Sequence, residues 1–351
     1  MKTPPALILG LLTASLLTPL GHAADAPPYH LLKEIHIGGD GGWDYLSADP
    51  AARRLYVSHG TKVVVIDTEK DAVAGEIADT PGVHGIAIGG DLGKLFVSDG
   101  KENKVSIVDA KDLKTTAKID VGQNPDSILF EPGTKEVYAF NGRGSSASVL
   151  NAETGQVVAT IPLNGKPETG QADPDAGRVY DTLEDKSEVV AIDARTHVIT
   201  NRWPIAPGEA GSGMAIDPAH HRLFIGCDNH LLVMLDTASG KVTGSVPIGQ
   251  GVDAVSFDPG TQLVFASCGD GHTTIAHEDA PDKLTVVQTL DTARGARTMT
   301  IDPTTHRIYL STAEFQTPAQ PLAPHQRPPL VAGSFKVLVF GNEPPAKSPK
   351  S

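Results

Sequence analysis

The stretch RRLYVSHGTKVVVIDTEKDAV, residues 53–73, sets an apolar run ending in Ser-His against a glycine turn, a β-branched run ending in Asp67, and a polar turn. Alternating apolar residues, β-branching and Gly/Asp punctuation read as short antiparallel strands. The phrase then recurs along the chain: GKLFVSD (93–99), KEVYAFN (135–141), GRVYDTL (177–183), HRLFIGC (221–227), QLVFASC (262–268) and HRIYLST (306–312). Its anchors are Leu55, Leu95, Val137, Val179, Leu223, Val264 and Ile308, at intervals of 40, 42, 42, 44, 41 and 44. A second register ends the following run at Asp67, Asp109, Asn151, Asp193, Asp236 and Glu278, spaced 42, 42, 42, 43 and 42. Two registers sharing one period make a repeat architecture.

Each unit carries four strand signals: a run before an Asp-Pro or Glu-Pro turn, such as DSILFEP or AVSFDP; the anchor run; the run of the second register; and a run such as QVVATIPL. Four short strands per unit, seven times over, predict an all-β, seven-bladed β-propeller of four-stranded antiparallel blades. A linear solenoid would need capping repeats. Here the seventh unit has three strand signals, and HLLKEIHIG, residues 30–38, matches the missing fourth. The ring is therefore predicted to close by the N-terminal strand completing the last blade, which removes an open sheet edge. The expected organisation is a signal peptide over residues 1–23, one propeller over residues 24–341 and a Pro/Lys/Ser tail over residues 342–351.

The runs YVSH, FVSD and YAFN, with the turns DTEKDAV and NAETGQV, resemble the YVTN-repeat seven-bladed propellers, including YncE-like periplasmic proteins. The resemblance spans essentially the whole of residues 24–341. It implies the propeller fold and an exported binding or surface role; it implies no reaction, because propellers host many unrelated activities.

The N-terminus fits that setting. One lysine, an apolar run over residues 6–20 and Gly21-His22-Ala23 have the layout of a secretory signal peptide cleaved after Ala23, and the run is shorter than a membrane span needs. A periplasmic or secreted location is expected. The formal charge of −13 disfavours nucleic-acid binding, which has been associated with YncE-like proteins. Glycine at 36 and proline at 27 residues fit a turn-rich chain poor in long helices. CxxCH, a P-loop lysine, GxSxG and HExxH are all absent.

In a propeller the first strand of each blade lines the channel, and ligands gather at the mouth formed by the loops that enter it. Five residues before each Asp-Pro position, or its equivalent, stand Asp44, His84, Asp126, Glu168, Ser212, Asp253 and Arg297. Carboxylates, a histidine and an arginine at one repeat position make a candidate ligand ring, although turn-forming Asp residues also bond local amides. Within it, Glu168, Asp126 and His84 are acid–base candidates and Arg297 an anion holder. A divalent metal is a possible cofactor there.

A second ring, four residues after each anchor, holds His59, Asp99, Asn141, Leu183, Cys227, Cys268 and Thr312. Of these, His59 joins the ligand-binding candidates. Cys227 and Cys268 occupy equivalent places in neighbouring blades, open to three readings: a disulfide, two free thiols, or a soft-metal site with His230 and His272. HIGGDGGWDYL, residues 36–46, has no following helix or lysine for a phosphate cradle, and Asp40 and Asp44 lack calcium-loop spacing. It reads as a turn carrying Trp43 to the mouth. A proline-rich insertion at residues 315–334 is placed as a flap near the mouth, while His220, His221 and His306 read as solvated histidines of the opposite face.

Three functions remain: a binding protein with a small-molecule or protein partner at the mouth, a lactonase- or lyase-type enzyme, and a single-strand nucleic-acid binder. A monomer is expected.

Overall fold

The computed structural model describes residues 28–317 and 328–343, so the expected signal-peptide segment, the centre of the proline-rich insertion and most of the tail lie outside the described residues. Seven four-stranded antiparallel sheets follow one another around a ring. Blade one is Leu46–Asp49, Arg54–His59, Lys62–Asp67 and Ala72–Ile77; blades two to six repeat that order. In blade seven Met299–Asp302 pairs with Arg307–Thr312, then Lys336–Gly341, and His30–His36 closes the sheet with Lys33 opposite Val339 and Ile35 opposite Val337. The N-terminal strand thus completes the last blade.

Burial follows from the radial layout. Second strands are covered on both faces by neighbouring blades and read as continuous apolar runs, such as the almost fully buried LVFASC of Leu263–Cys268. Fourth strands face solvent on one side and alternate, as in Val157–Pro162. Each anchor is followed by an aromatic ring: Tyr56, Phe96, Tyr138, Tyr180, Phe224, Phe265 and Tyr309 are all buried. Strand alternation turns each anchor toward the preceding blade and each ring toward the next. Tyr56, for example, packs with Leu95 and Val97 of blade two, and Leu55 with Tyr309 and Val339 of blade seven. The core is therefore not one mass but a set of apolar seams between blades.

The seams also decide the cysteines, and correct the disulfide reading. Cys227 and Cys268 are free and buried. Cys227 packs in the seam of blades four and five beside Ile205 and Val233, Cys268 in that of blades five and six beside Val252 and Val264. Equivalent positions point the same way around the ring, so a whole blade stands between the two sulfurs. Packed sheets lie ~10 Å apart, beyond the ~7 Å Cα limit of a disulfide. Burial pushes both thiols up to about 12.

Candidate functional site

The first-strand ring converges at the mouth. His84 Nδ1 lies 2.7 Å from Asp44 Oδ2 and 3.4 Å from Asp126 Oδ1, joining blades one, two and three. Across the channel Arg297 donates to Asp253 Oδ1 at 3.0 Å. Lys166 Nζ stands 3.1 Å from Glu168 Oε2 and also pairs with Glu184. Ser212 is buried and joins none of these groups.

Burial opposes a charge on His84, but the carboxylates of Asp44, Asp126 and Glu168 outweigh it and hold the imidazole up to about 9. Burial pushes Asp126 up to about 7, aided by Asp44 and Asp253 and opposed by His84. Glu168 also rises to about 7 through burial and the Asp126 charge, against the pull of Lys166. Asp44, His84 and Asp126 each offer an atom within 4.8 Å of the others, which is close enough for a divalent cation; His84 equally serves there as the internal counter-ion.

A raised histidine pKa contributes stability that is complete below its unfolded value of 6.5 and is lost as pH rises through about 9. Wild-type protein is expected to lose on the order of 2–3 kcal/mol from this group between pH 6.5 and 9. Denaturant melts of His84→Gln across that range should show a flatter profile; an unchanged slope would contradict the assignment.

Tyr45 has no counterpart among the sequence candidates. Its hydroxyl crosses from blade one to blade four, donating to the Glu168 carbonyl at 3.0 Å with Thr169 Oγ1 at 3.3 Å. Burial, then the charges of Asp126, Glu168 and Asp44, raise its pKa well above the usual value, so it stays a neutral donor beneath the ring.

Asp181 was legible only as a broken pattern. Where Val57, Val97, Ala139, Ile225, Ala266 and Leu310 fill the seams, GRVYDTL places a carboxyl that is 0% exposed, with neither oxygen hydrogen-bonded. Burial, then Glu168 and Asp126, raise its pKa well above the usual range, which keeps it neutral. Asp181→Val, restoring the residue type of the other blades, is expected to raise stability by about 1–3 kcal/mol by removing a buried unpartnered group. A lower melting temperature would refute this.

The loop of residues 36–46 forms the rim. Gly41 has φ +118° and a Cβ there would lie 3.0 Å from Gly60 Cα, while Gly60 N–H donates to the Gly42 carbonyl at 2.8 Å. Only glycine permits that approach. The turn delivers Trp43 between Phe335, 5.4 Å away, and Phe315, 6.4 Å away. Phe315 bridges to Leu330, so the base of the proline-rich insertion sits at the mouth.

Trp43 borders two cavities. One of about 950 Å³ is lined by Asp40, Asp44, His84, Lys101 and Arg143 among others. The other, of about 400 Å³, adds Arg294, Arg297, Phe315 and Leu330, with the Arg294 guanidinium 6.0 Å over the Phe315 ring.

The second ring does not reach these cavities. His59 is 2% exposed, stacks on Phe335 at 4.1 Å and meets the Gly38 carbonyl through Nε2 at 3.1 Å; burial lowers its pKa. It braces the rim loop. The soft-metal reading is also corrected: the two cysteines lie in different seams and, among the described residues, Cys227, His230, Cys268 and His272 do not gather into a ligand group. His272 instead meets Asp270 at 3.3 Å. On the opposite face, His306 is not simply solvated, since its Nδ1 is 2.7 Å from the buried Asp258 carboxylate, and His220 pairs with Asp217.

No family model matches the chain. Over 148 residues, 40% of this chain, it is 25% identical to the uncharacterized protein YncE of Salmonella typhimurium and 24% identical to that of Salmonella typhi. The matched stretch spans 42% of the length of those relatives. Among solved structures, the WD40 repeats of RRP9 superpose with a TM-score of 0.74 at 11% identity, covering 90% of this chain and 99% of that one. A chain of the mitotic checkpoint complex gives 0.72 at 13% identity, covering 96% and 98%. At such identities these last two speak for the fold alone. The chain is a seven-bladed β-propeller with sequence similarity to the YncE proteins over 40% of its length.

Proposed function

We propose that the protein is an exported binding protein whose channel mouth takes a small organic anion. The observation that carries this reading is a contrast of charge. The chain bears a formal −13, yet the smaller mouth cavity is lined by Arg294 and Arg297 with no carboxylate among its described lining, Lys101 and Arg143 offset Asp40 and Asp44 in the larger one, and Trp43 stands between them. Cations on a rigid rim attract an anion, and an indole face takes its planar or apolar part. The leader-like residues 6–20 support export, and no helix among the described residues is long and apolar enough to cross a membrane.

A thermal-shift panel of small carboxylates and sugar phosphates, citrate, benzoate and glucose phosphate included, tests it. At least one should raise the melting temperature saturably, and Arg294→Glu should abolish the shift. No saturable shift across the panel would overturn the reading. Salt-dependent binding of a dT oligonucleotide instead would move it to single-stranded nucleic acid.

The second reading is an acid–base enzyme of the lactonase or lyase kind, favoured by the His84 imidazole held between two carboxylates at the cavity wall. Lactone turnover that Glu168→Gln abolishes would establish it; a silent wild type retires it.

A further inference from the structure

On the face opposite the mouth, one repeat position breaks its own rule. The residue ending the third strand caps its turn in five blades. Asp67 accepts from Glu69 and Lys70 N–H, Asp109 from Lys111 and Asp112, Asn151 from Glu153 and Thr154, Asp193 from Arg195 and Thr196, and Asp236 from Ser239. In blade six that place falls to His277, which faces Leu263 as Asp67 faces Arg54, and the next residue, Glu278, stands where the other blades carry Thr68, Ala110, Ala152, Ala194 and Thr237. There the hairpin strands run on as His272–Ala280 and Lys283–Asp291, so the chain reverses beyond Glu278, out of reach of its carboxylate.

Glu278 is 5% exposed and its Oε2 has no hydrogen-bond partner. Across the seam in blade five stand Asp217, 2% exposed, and His220, whose Nδ1 pairs with Asp217 Oδ2. One oxygen from Asp217, one from Glu278 and one imidazole nitrogen of His220 all lie within 4.8 Å of one another. Nη1 of the nearby Arg222 bonds Asp236 and the His221 carbonyl, while its buried Nε has no partner. The His220 side chain is 54% exposed, leaving an approach from solvent.

We propose that Asp217, His220 and Glu278 form a divalent transition-metal site of the zinc type, clipping blade five to blade six. The donor set supports that chemistry. One imidazole and two carboxylates suit zinc, whose tetrahedral ligands sit ~2.0–2.2 Å from the ion and so ~3.4 Å from one another, and the cluster, its atoms within 4.8 Å, closes by up to about 1.4 Å to hold it. Water from the open side supplies the fourth position. Two carboxylates brought together at a buried seam repel, and a doubly charged ion relieves this. The site is independent of the mouth and survives failure of the anion reading.

The test uses the chelator-stripped protein in a His84→Ala background, which removes the imidazole of the mouth cluster. Calorimetric titration with zinc chloride should show one saturable site and a rise in melting temperature. His220→Ala, an exposed change, and Glu278→Gln, a near-isosteric one, should each weaken zinc at least about tenfold. Diffraction at the zinc absorption edge should place the ion between the three residues. Zinc affinity unchanged in His220→Ala, an anomalous peak elsewhere, or no binding by the folded parent would each overturn the site.

Discussion

Starting the chain at Ile37 is expected to abolish cooperative folding. Those missing residues supply the fourth strand of blade seven, paired along Lys336–Gly341. Ile35 packs with Val337 and Val339 in the seam of blades seven and one. Tyr29 works in the neighbouring seam, edge-on to Phe265 at 5.1 Å, with its hydroxyl donating to the His306 carbonyl at 2.8 Å. Its backbone is held as well, since Gln288 bonds both Tyr29 N–H and its carbonyl. Each buried apolar side chain contributes about 2–3 kcal/mol. Adding a lost ladder reaches the ~5–15 kcal/mol stability of a whole domain. The exposed edge of Lys336–Gly341 would then invite intermolecular pairing. Circular dichroism on heating should show a broad, non-cooperative loss, or the protein should aggregate. A sharp transition at the wild-type temperature would contradict the closure account.

Gly213→Ala carries the second large effect. Gly213 lies in the first strand of blade five, Gly211–Asp217, against the first strand of blade six, Val252–Asp258. A Cβ there would lie 2.6 Å from Val255 N and 2.7 Å from Ala254 C and Cα. These are backbone atoms of a paired strand and cannot turn aside as a side chain does. The blades must part, at about 3 kcal/mol or more. Gly42→Ala is the control, since its added Cβ meets nothing within 4 Å. Equal melting temperatures for the two variants would show that the inner strands pack more loosely than described.

The fold was legible because the repeat writes each seam twice, as an anchor and as the aromatic after it. Leu55 faces blade seven and Tyr56 faces blade two, and the same pair recurs around the ring. Counting along the period also brought Asp44, His84 and Asp126 together correctly, since one repeat position of adjacent blades shares one radius. The same counting failed for His59, Cys227 and Cys268. Their positions end a second strand, where the seam covers the side chain and a full blade separates equivalents. Tyr45 escaped because its reach spans the channel to blade four, a contact between residues 123 apart that no period reports. Glu278 looked like one more turn residue, but the ladder gives that place in blade six to His277, opposite Leu263, so the second register slips there by one residue. The longer hairpin of blade six carries that slip and puts a glutamate where the other blades have alanine or threonine, which shows only once the strand pairing is fixed.

On the proposed reading, the ligand binds beside Trp43. The chain has two tryptophans, and Trp203 lies on the fourth strand of blade four beside Tyr180, so Trp203→Phe leaves Trp43 as the sole indole reporter. Titrating that variant with the small anion that raises its melting temperature should change Trp43 emission saturably, with the calorimetric Kd, and Arg294→Glu should remove both signals. A ligand that binds by calorimetry while Trp43 emission stays unchanged would contradict the account.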